Sequence, residues 1–475
     1  MSKTILHDGD PGVSLIIKDK KSKSAVKAEA RAPIHVVYGG AQLFKSDTPQ
    51  KLGKLALSAM ENYAPNFVEF AHSMRIEGSE TLSNSSKSVT ELEKALDKNE
   101  QTVKSENFPA WLAWTVYRRT IEKLKREPVE DFRIDFEDGY GFRSDDEEDE
   151  HAISASDELA RAFESGTITE FSGFRIKSLA PETHHRGIKT LELFLHNLLD
   201  KTGGKLPSNF VVTLPKVSTR KEVRELAKHL DKIEKSAGIV HNFIGVELMI
   251  ETPQALIDKR GRVPLLKLVE AAKGRCTSAH FGAYDYTAAL GISATHQHIH
   301  HDACNFARQV MLATLSPLGL RLSDSVTTEM PVAIHRDETN ESHVSENRRA
   351  VYNGWHRHFR NVTQSMINGF YQSWDLHPNQ LPARYAAVFS FFLTSMDVQA
   401  ERLKGFLGKA TQANLTGSKF DDAASAQGIL NYFRRAIDSG ALTKKEIAAL
   451  TGLSAADLRS LSFMEIIEKD PAANA

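Results

Sequence analysis

The run Phe243-Ile-Gly-Val-Glu-Leu-Met-Ile-Glu251 and, shortly after it, Ser278-Ala-His-Phe-Gly-Ala-Tyr-Asp285 decide the fold. Each is short, apolar and closed by an acid, and a helical pattern follows it. A strand buried on both faces of a parallel sheet reads this way. Two acids at the carboxyl ends of successive parallel strands converge on one region. Their oxygens suit Mg²⁺, which takes one or two carboxylates and leaves other positions to substrate and water. The same acids also suit the N-caps of the following helices. The residue types alone leave both readings open.

Outward from these runs, similar segments recur between helical patterns. Strands are expected near Ile34–Tyr38, Phe132–Phe136, Gly173–Ile176, Phe210–Leu214, Gly245–Ile250, Ala279–Gly282, Pro331–Ile334 and Gly369–Trp374. This alternation predicts a (β/α)₈ TIM barrel. No G-x-G-x-x-G follows the first strand, which weakens a dinucleotide-binding open sheet. The expected organisation is a mobile arm over residues 1–32, a barrel over 33–385 and a helical region over 386–475. An insertion over 64–128 separates the first two strands. Within it, Ser79–Asn107 is polar and reads as a surface excursion. Trp111, Trp114, Tyr117, Ile121 and Leu124 then recur at helical spacing, as a core or subunit-contact stripe does.

Composition excludes several classes. A net charge of −1 argues against bulk attraction to nucleic acid or membrane. Only Cys276 and Cys304 occur, so a disulfide framework is excluded and a cytoplasmic location is expected. No stretch approaches the roughly 20 apolar residues that span a bilayer. Two local patterns mislead. Thr295-His-Gln-His-Ile-His-His-Asp302 resembles a zinc site, but adjacent His300 and His301 diverge. Glu446–Leu461 has helix–turn–helix spacing, yet its second helix offers only Arg459 to a phosphate backbone. The acidic run Asp145–Glu150 reads as a solvated first turn of a helix.

Charged groups crowd the other strand ends: Asp135, Glu137 and Asp138 after the second, Arg175 on the third, Lys216 after the fourth and His377 after the eighth. Barrel active sites lie at that end. Arg175 in a buried strand needs an anionic partner, and Glu137 is a candidate. His377 reads as a hydrogen-bonded strand-end residue or a base. Lys216 either braces the acids or meets a substrate anion.

In chain order, Val37-Tyr-Gly-Gly-Ala41, Asp135-Phe-Glu-Asp-Gly139, Arg175-Ile-Lys-Ser178, Leu214-Pro-Lys-Val217, Ile250-Glu-Thr252, Phe281-Gly-Ala-Tyr-Asp285, Leu376-His-Pro-Asn-Gln-Leu381 and Gly417-Ser-Lys-Phe-Asp-Asp422 resemble motifs of the HpcH/HpaI aldolase/citrate lyase family, including malyl-CoA and citramalyl-CoA lyases. The resemblance implies a phosphoenolpyruvate/pyruvate-type barrel with a helical C-terminal lid. It implies a carbon–carbon lyase in which Glu251 and Asp285 hold Mg²⁺ or Mn²⁺ and Asp138 hydrogen-bonds a metal-bound water. Arg175 would bind the oxygen that becomes an enolate, while Glu137, Lys216 and His377 border the substrate. Asp421, or the adjacent Asp422, would transfer a proton from a lid exchanged between subunits of a homo-oligomer. The first loop lacks the proline of relatives that carry V-P-G, so a free oxo acid and a CoA thioester both stand as substrate classes. Outside this class stand phosphoenolpyruvate-linked phosphoryl transfer and a non-catalytic metabolite-binding barrel.

Overall fold

The computed structural model describes residues 31–337, 339–416, 423–460 and 462–469. Eight strands form a closed parallel barrel in chain order: β1 (His35–Gly40), β2 (Asp131–Asp135), β3 (Phe171–Arg175), β4 (Phe210–Leu214), β5 (Gly245–Ile250), β6 (Cys276–Phe281), β7 (Arg321–Val326) and β8 (Gln372–Asp375). β8 closes on β1 with Val36 opposite Trp374. The (β/α)₈ expectation holds, and the C-terminal region is helical, beginning with the long helix Leu381–Thr416. No helix among the described residues is long and apolar enough to cross a membrane.

One strand lies elsewhere than expected. Pro331–Ile334 is irregular, with Ile334 exposed, and the seventh strand is Arg321-Leu-Ser-Asp-Ser-Val326. Its polar alternation hid it. Asp324 is buried against Arg308 at 3.1 Å and takes the Ser365 hydroxyl at 2.6 Å.

The two faces of the strands differ in chemistry. Phe132, Ile134, Phe174, Val212, Leu248 and Phe281 belong to the main apolar core, which also packs the surrounding helices. The barrel interior is largely polar. The Glu247 carboxylate takes hydrogen bonds from Tyr38 (3.2 Å), Arg133 (2.9 and 3.1 Å), Thr213 (2.7 Å) and Ser278 (2.7 Å), and His280 lies 2.8 Å away. One side chain reached from β1, β2, β4 and β6 must lie inside. Below it, Arg133 also pairs with Asp131, which takes a bond from Gln372 at 3.2 Å. Burial of so many charges is tolerated because each is paired.

A second buried node ties the barrel to the C-terminal helices. Asp375 lies 2.6 Å from His35, 2.7 Å from His358 and 2.8 Å from Arg384, the last on the long helix. Burial works against its charge, yet Arg384, His35 and His358 hold its carboxyl well below the usual range.

The stretch expected as a polar excursion contains the helices Ser86–Lys98 and Glu100–Glu106. Val89, Leu96 and Val103 are buried at seven-residue spacing, so a narrow stripe docks an otherwise solvated surface. In the aromatic helix Phe108–Arg126, Trp111 and Leu124 are buried, and Trp114, Tyr117 and Ile121 pack against the core. Arg31 pairs with Glu127 at 2.6 Å and Glu170 at 2.7 Å, and also with Glu130.

Candidate active site

At the carboxyl ends of β2 to β6 the predicted charges come together. Arg175, 3% exposed, is fixed by Asp135 through two bonds of 2.5 and 2.6 Å. Its guanidinium also lies over the Tyr38 ring, 4.9 Å from the centroid. Its Nη1 lies 3.0 Å from Glu137 and 3.6 Å from Asp138 but makes no hydrogen bond of good geometry. Nε and Nη2, two of the three guanidinium nitrogens, are thus fixed, and Nη1 is left toward Glu137 and Asp138.

Lys216 sits at φ 51°, in the left-handed region, which costs a residue with a side chain on the order of 1 kcal/mol or more. The turn directs its backbone N–H to Glu251 Oε1 at 2.7 Å. Its ammonium contacts Glu137 and lies 3.1 Å from Asp138 and 3.6 Å from Asp285. Lys216 therefore braces the acids.

Neither Glu251 nor Asp285 caps a helix. Thr252 caps Pro253–Leu256, and Asp285 lies inside the first turn of Ala283–Ala289. Glu251 is 2% exposed, and burial, with Glu137 and Asp285 close by, pushes its carboxyl up to about 8. Burial likewise raises Glu137 to about 7, against the pull of Arg175. Asp138 is half-exposed; despite partial burial, Arg175 and Lys216 hold it below its ordinary value. Asp135, Glu137, Asp138, Glu251 and Asp285 face only two cations, Arg175 and Lys216, in these contacts. A hard divalent cation fits this surplus of carboxylate oxygens. Among the described residues, the three-ligand cluster tight enough for one ion is elsewhere, at Asp231, Glu234 and His241. There Arg275 already pairs with both acids.

Two glycines shape the rim by their lack of a side chain. A Cβ at Gly139 would stand 2.6 Å from Asp135 Oδ2, and one at Gly282 would stand 2.6 Å from Glu251 Cβ. An apolar wall adjoins the charges: Val36, Tyr38, Met249, Val326 and Trp374 form a small cluster of their own, with Tyr284 against it.

His377 is half-buried at the end of β8, and its Nδ1 accepts the Asn379 N–H at 3.1 Å. It makes no ion pair with the acids among the described residues. Burial lowers its pKa. Asp421 and Asp422 lie outside the described residues. Sequence reasoning gave no role to Asp135, the main partner of Arg175, nor to Tyr38. Both lay in quoted motifs, and the alternation of Asp131, Arg133 and Asp135 was the available signal.

No curated protein matches the sequence. Several solved structures are similar. The Haloferax volcanii malate synthase magnesium/glyoxylate complex is 13% identical, covering 73% of this chain and 92% of that one, with a TM-score of 0.38. The same enzyme's pyruvate/acetyl-CoA ternary complex is 12% identical, covering 72% and 90%, with a TM-score of 0.39. An HpcH/HpaI aldolase from Desulfitobacterium hafniense DCB-2 is 13% identical, covering 52% and 77%, with a TM-score of 0.30. The family described as Domain of unknown function (DUF6986) matches residues 21–466, which take in the whole barrel and all but the end of the described C-terminal helices, and the chain belongs to that family.

Proposed function

We propose that the barrel mouth is the active site of a divalent-metal-dependent carbon–carbon lyase or aldolase acting on a hydroxy acid or its CoA thioester. The observation that carries this reading is a buried Glu251 beside Asp285 and Glu137, near an arginine whose Nη1 is without a hydrogen bond. Glu251 and Asp285 would hold Mg²⁺ or Mn²⁺. When bound, the ion supplies a Lewis acid to the oxygens of a 2-oxo acid.

The chain's own residues do the rest. Cleavage next to a carbonyl leaves an enolate, and Arg175 meets that oxygen with Nη1. Asp135 and Tyr38 hold the guanidinium plane, so little reorganisation accompanies the developing charge. Asp138, half-exposed, orients water at the rim. Glu137 and Lys216 border the substrate. Tyr38, Met249 and Trp374 exclude water from one side and strengthen every charge interaction beside them. Asp421 is the proposed proton-transfer group, delivered from a lid in a homo-oligomer.

Thermal stability tests the reading directly. Pyruvate, oxaloacetate, glyoxylate, acetyl-CoA and propionyl-CoA are each added with and without Mg²⁺ to wild type and Asp285→Ala. A metal-dependent rise with an oxo acid, absent from the variant, is expected by mass action. Product formation from the responding compounds then separates a lyase from a binding protein. Shifts indifferent to both metal and Asp285 would overturn the assignment.

A further inference from the structure

At the opposite end of the barrel, the amino ends of the neighbouring strands β7, β8 and β1 face the helix Ala423–Asp438 across a cavity of about 380 Å³. Its lining includes Arg31, Arg321, Arg434, Arg435 and Tyr371, with Asp438 as its acid. A cavity of this size holds a small organic ligand.

The arginines are not equivalent. Arg31 is committed to Glu127 and Glu170 at 2.6 and 2.7 Å, and to Glu130. Arg434 donates to the Leu458 carbonyl and, at 3.4 Å, to Asn431. Arg321 and Arg435 make no ion pair with any described residue. Each instead lies over an aromatic ring: Arg321 is 5.2 Å from the centroid of Phe171, and Arg435 is 3.8 Å from that of Tyr371. Asp438 is already taken by Arg459 at 3.1 Å. Burial lowers the pKa values of Arg321 and Arg435 in spite of the opposing pull of Asp131 and Glu247 on the first and of Asp438 on the second. A guanidinium presents its nitrogens as a planar fork, the geometry that grips phosphate or carboxylate oxygens.

We propose that this cavity binds a small, multiply charged oxyanion between Arg321 and Arg435, remote from the carboxylate-rich mouth. Phosphate and carboxylate groups share the required chemistry, and the cavity leaves room for an organic body carrying either. The proposal stands whether or not the mouth is a lyase site.

Calorimetric titration of the metal-stripped, full-length protein with pyrophosphate, and separately with citrate, decides it. At least one should bind, more weakly as NaCl is raised, because ion pairing is screened. Arg321→Gln and Arg435→Gln should each weaken binding by about tenfold or more, the usual loss for one charged hydrogen bond. Circular dichroism checks that the variants fold. The tighter of the two ligands identifies phosphate or carboxylate as the natural group. Glu251→Gln at the mouth should leave this binding unchanged. No binding of either anion to wild type would overturn the proposal, as when the chain's own terminal segments fill the cavity. Binding that ignores both arginine substitutions, or that disappears in Glu251→Gln, would overturn it as well.

Discussion

Gly282→Ala measures how tightly the mouth is built. Gly282 has φ −103° and ψ 88°, a conformation open to alanine, so backbone strain contributes little. The new methyl would lie 2.6 Å from Glu251 Cβ and 3.2 Å from its Cδ. Carbon atoms rest comfortably at about 3.5–4.0 Å, so Glu251 must retreat by about 1 Å. It cannot do so without stretching its 2.7 Å bond from the Lys216 N–H. Overpacking and the weakened bond together should cost about 2–4 kcal/mol. Gly405→Ala is the control. Gly405 is exposed within the helix Leu381–Thr416, and nothing lies within 4 Å of its added methyl. That change should stabilise by about 0.5–1 kcal/mol. Urea unfolding of metal-stripped protein reads both effects. The Gly282 variant should also lose the stabilisation that Mg²⁺ gives wild type. If Gly282→Ala is as stable as Gly405→Ala, or keeps the full Mg²⁺ response, the argument from close approach fails.

Removing the Lys216 ammonium by Lys216→Met should make Mg²⁺ more stabilising than in wild type, because the acids then lack their brace; an unchanged response in a thermal melt would refute this. Arg384→Met leaves Asp375 buried beside two histidines and should cost about 3–5 kcal/mol, whereas Arg384→Met with Asp375→Leu should recover much of it. A neutral single variant in urea unfolding would show that Asp375 does not depend on Arg384. Burial opposes the Glu127 charge, yet Arg31 and Lys123 hold its carboxyl down to about 2. Its stabilising contribution is therefore present above the unfolded value of 4.5 and lost as pH falls toward about 2. Glu127→Gln should flatten stability against pH in that window and leave the slope above it alone; the same slope in both proteins would contradict the pairing.

Strands with apolar outer faces were readable because those faces meet helices: Phe210–Leu214 and Gly245–Ile250 match their expected bounds residue for residue. β7 was not, because Asp324 stands on a face that other strands fill with hydrocarbon, and its neutralising Arg308 comes from the preceding helix Asp302–Leu315, folded back against the strand. Local pattern cannot show a partner supplied by tertiary contact. The same limit applied at the mouth. Glu251, Asp285, Arg175 and Lys216 were visible as charges at strand ends, but the order of pairing was not. That Asp135 rather than Glu137 grips Arg175 most closely follows from the register Asp135 opposite Arg175 on adjacent strands. The capping box at Thr443–Glu446 is a local device and forms as its sequence implies.

The interior ladder from Gln372 through Asp131 and Arg133 to Glu247 has a consequence for how such a barrel changes over time. In a hydrocarbon interior, valine and isoleucine exchange one at a time and each step is nearly neutral. Here a single substitution removes one side of a buried ion pair and leaves the other charge short of a partner. Drift in this interior must therefore proceed by coupled exchanges across strands. Related chains should show Arg133 and Glu247 varying together or not at all, and the trace of common descent should lie in matched charges facing the axis more than in the oily positions that face the helices.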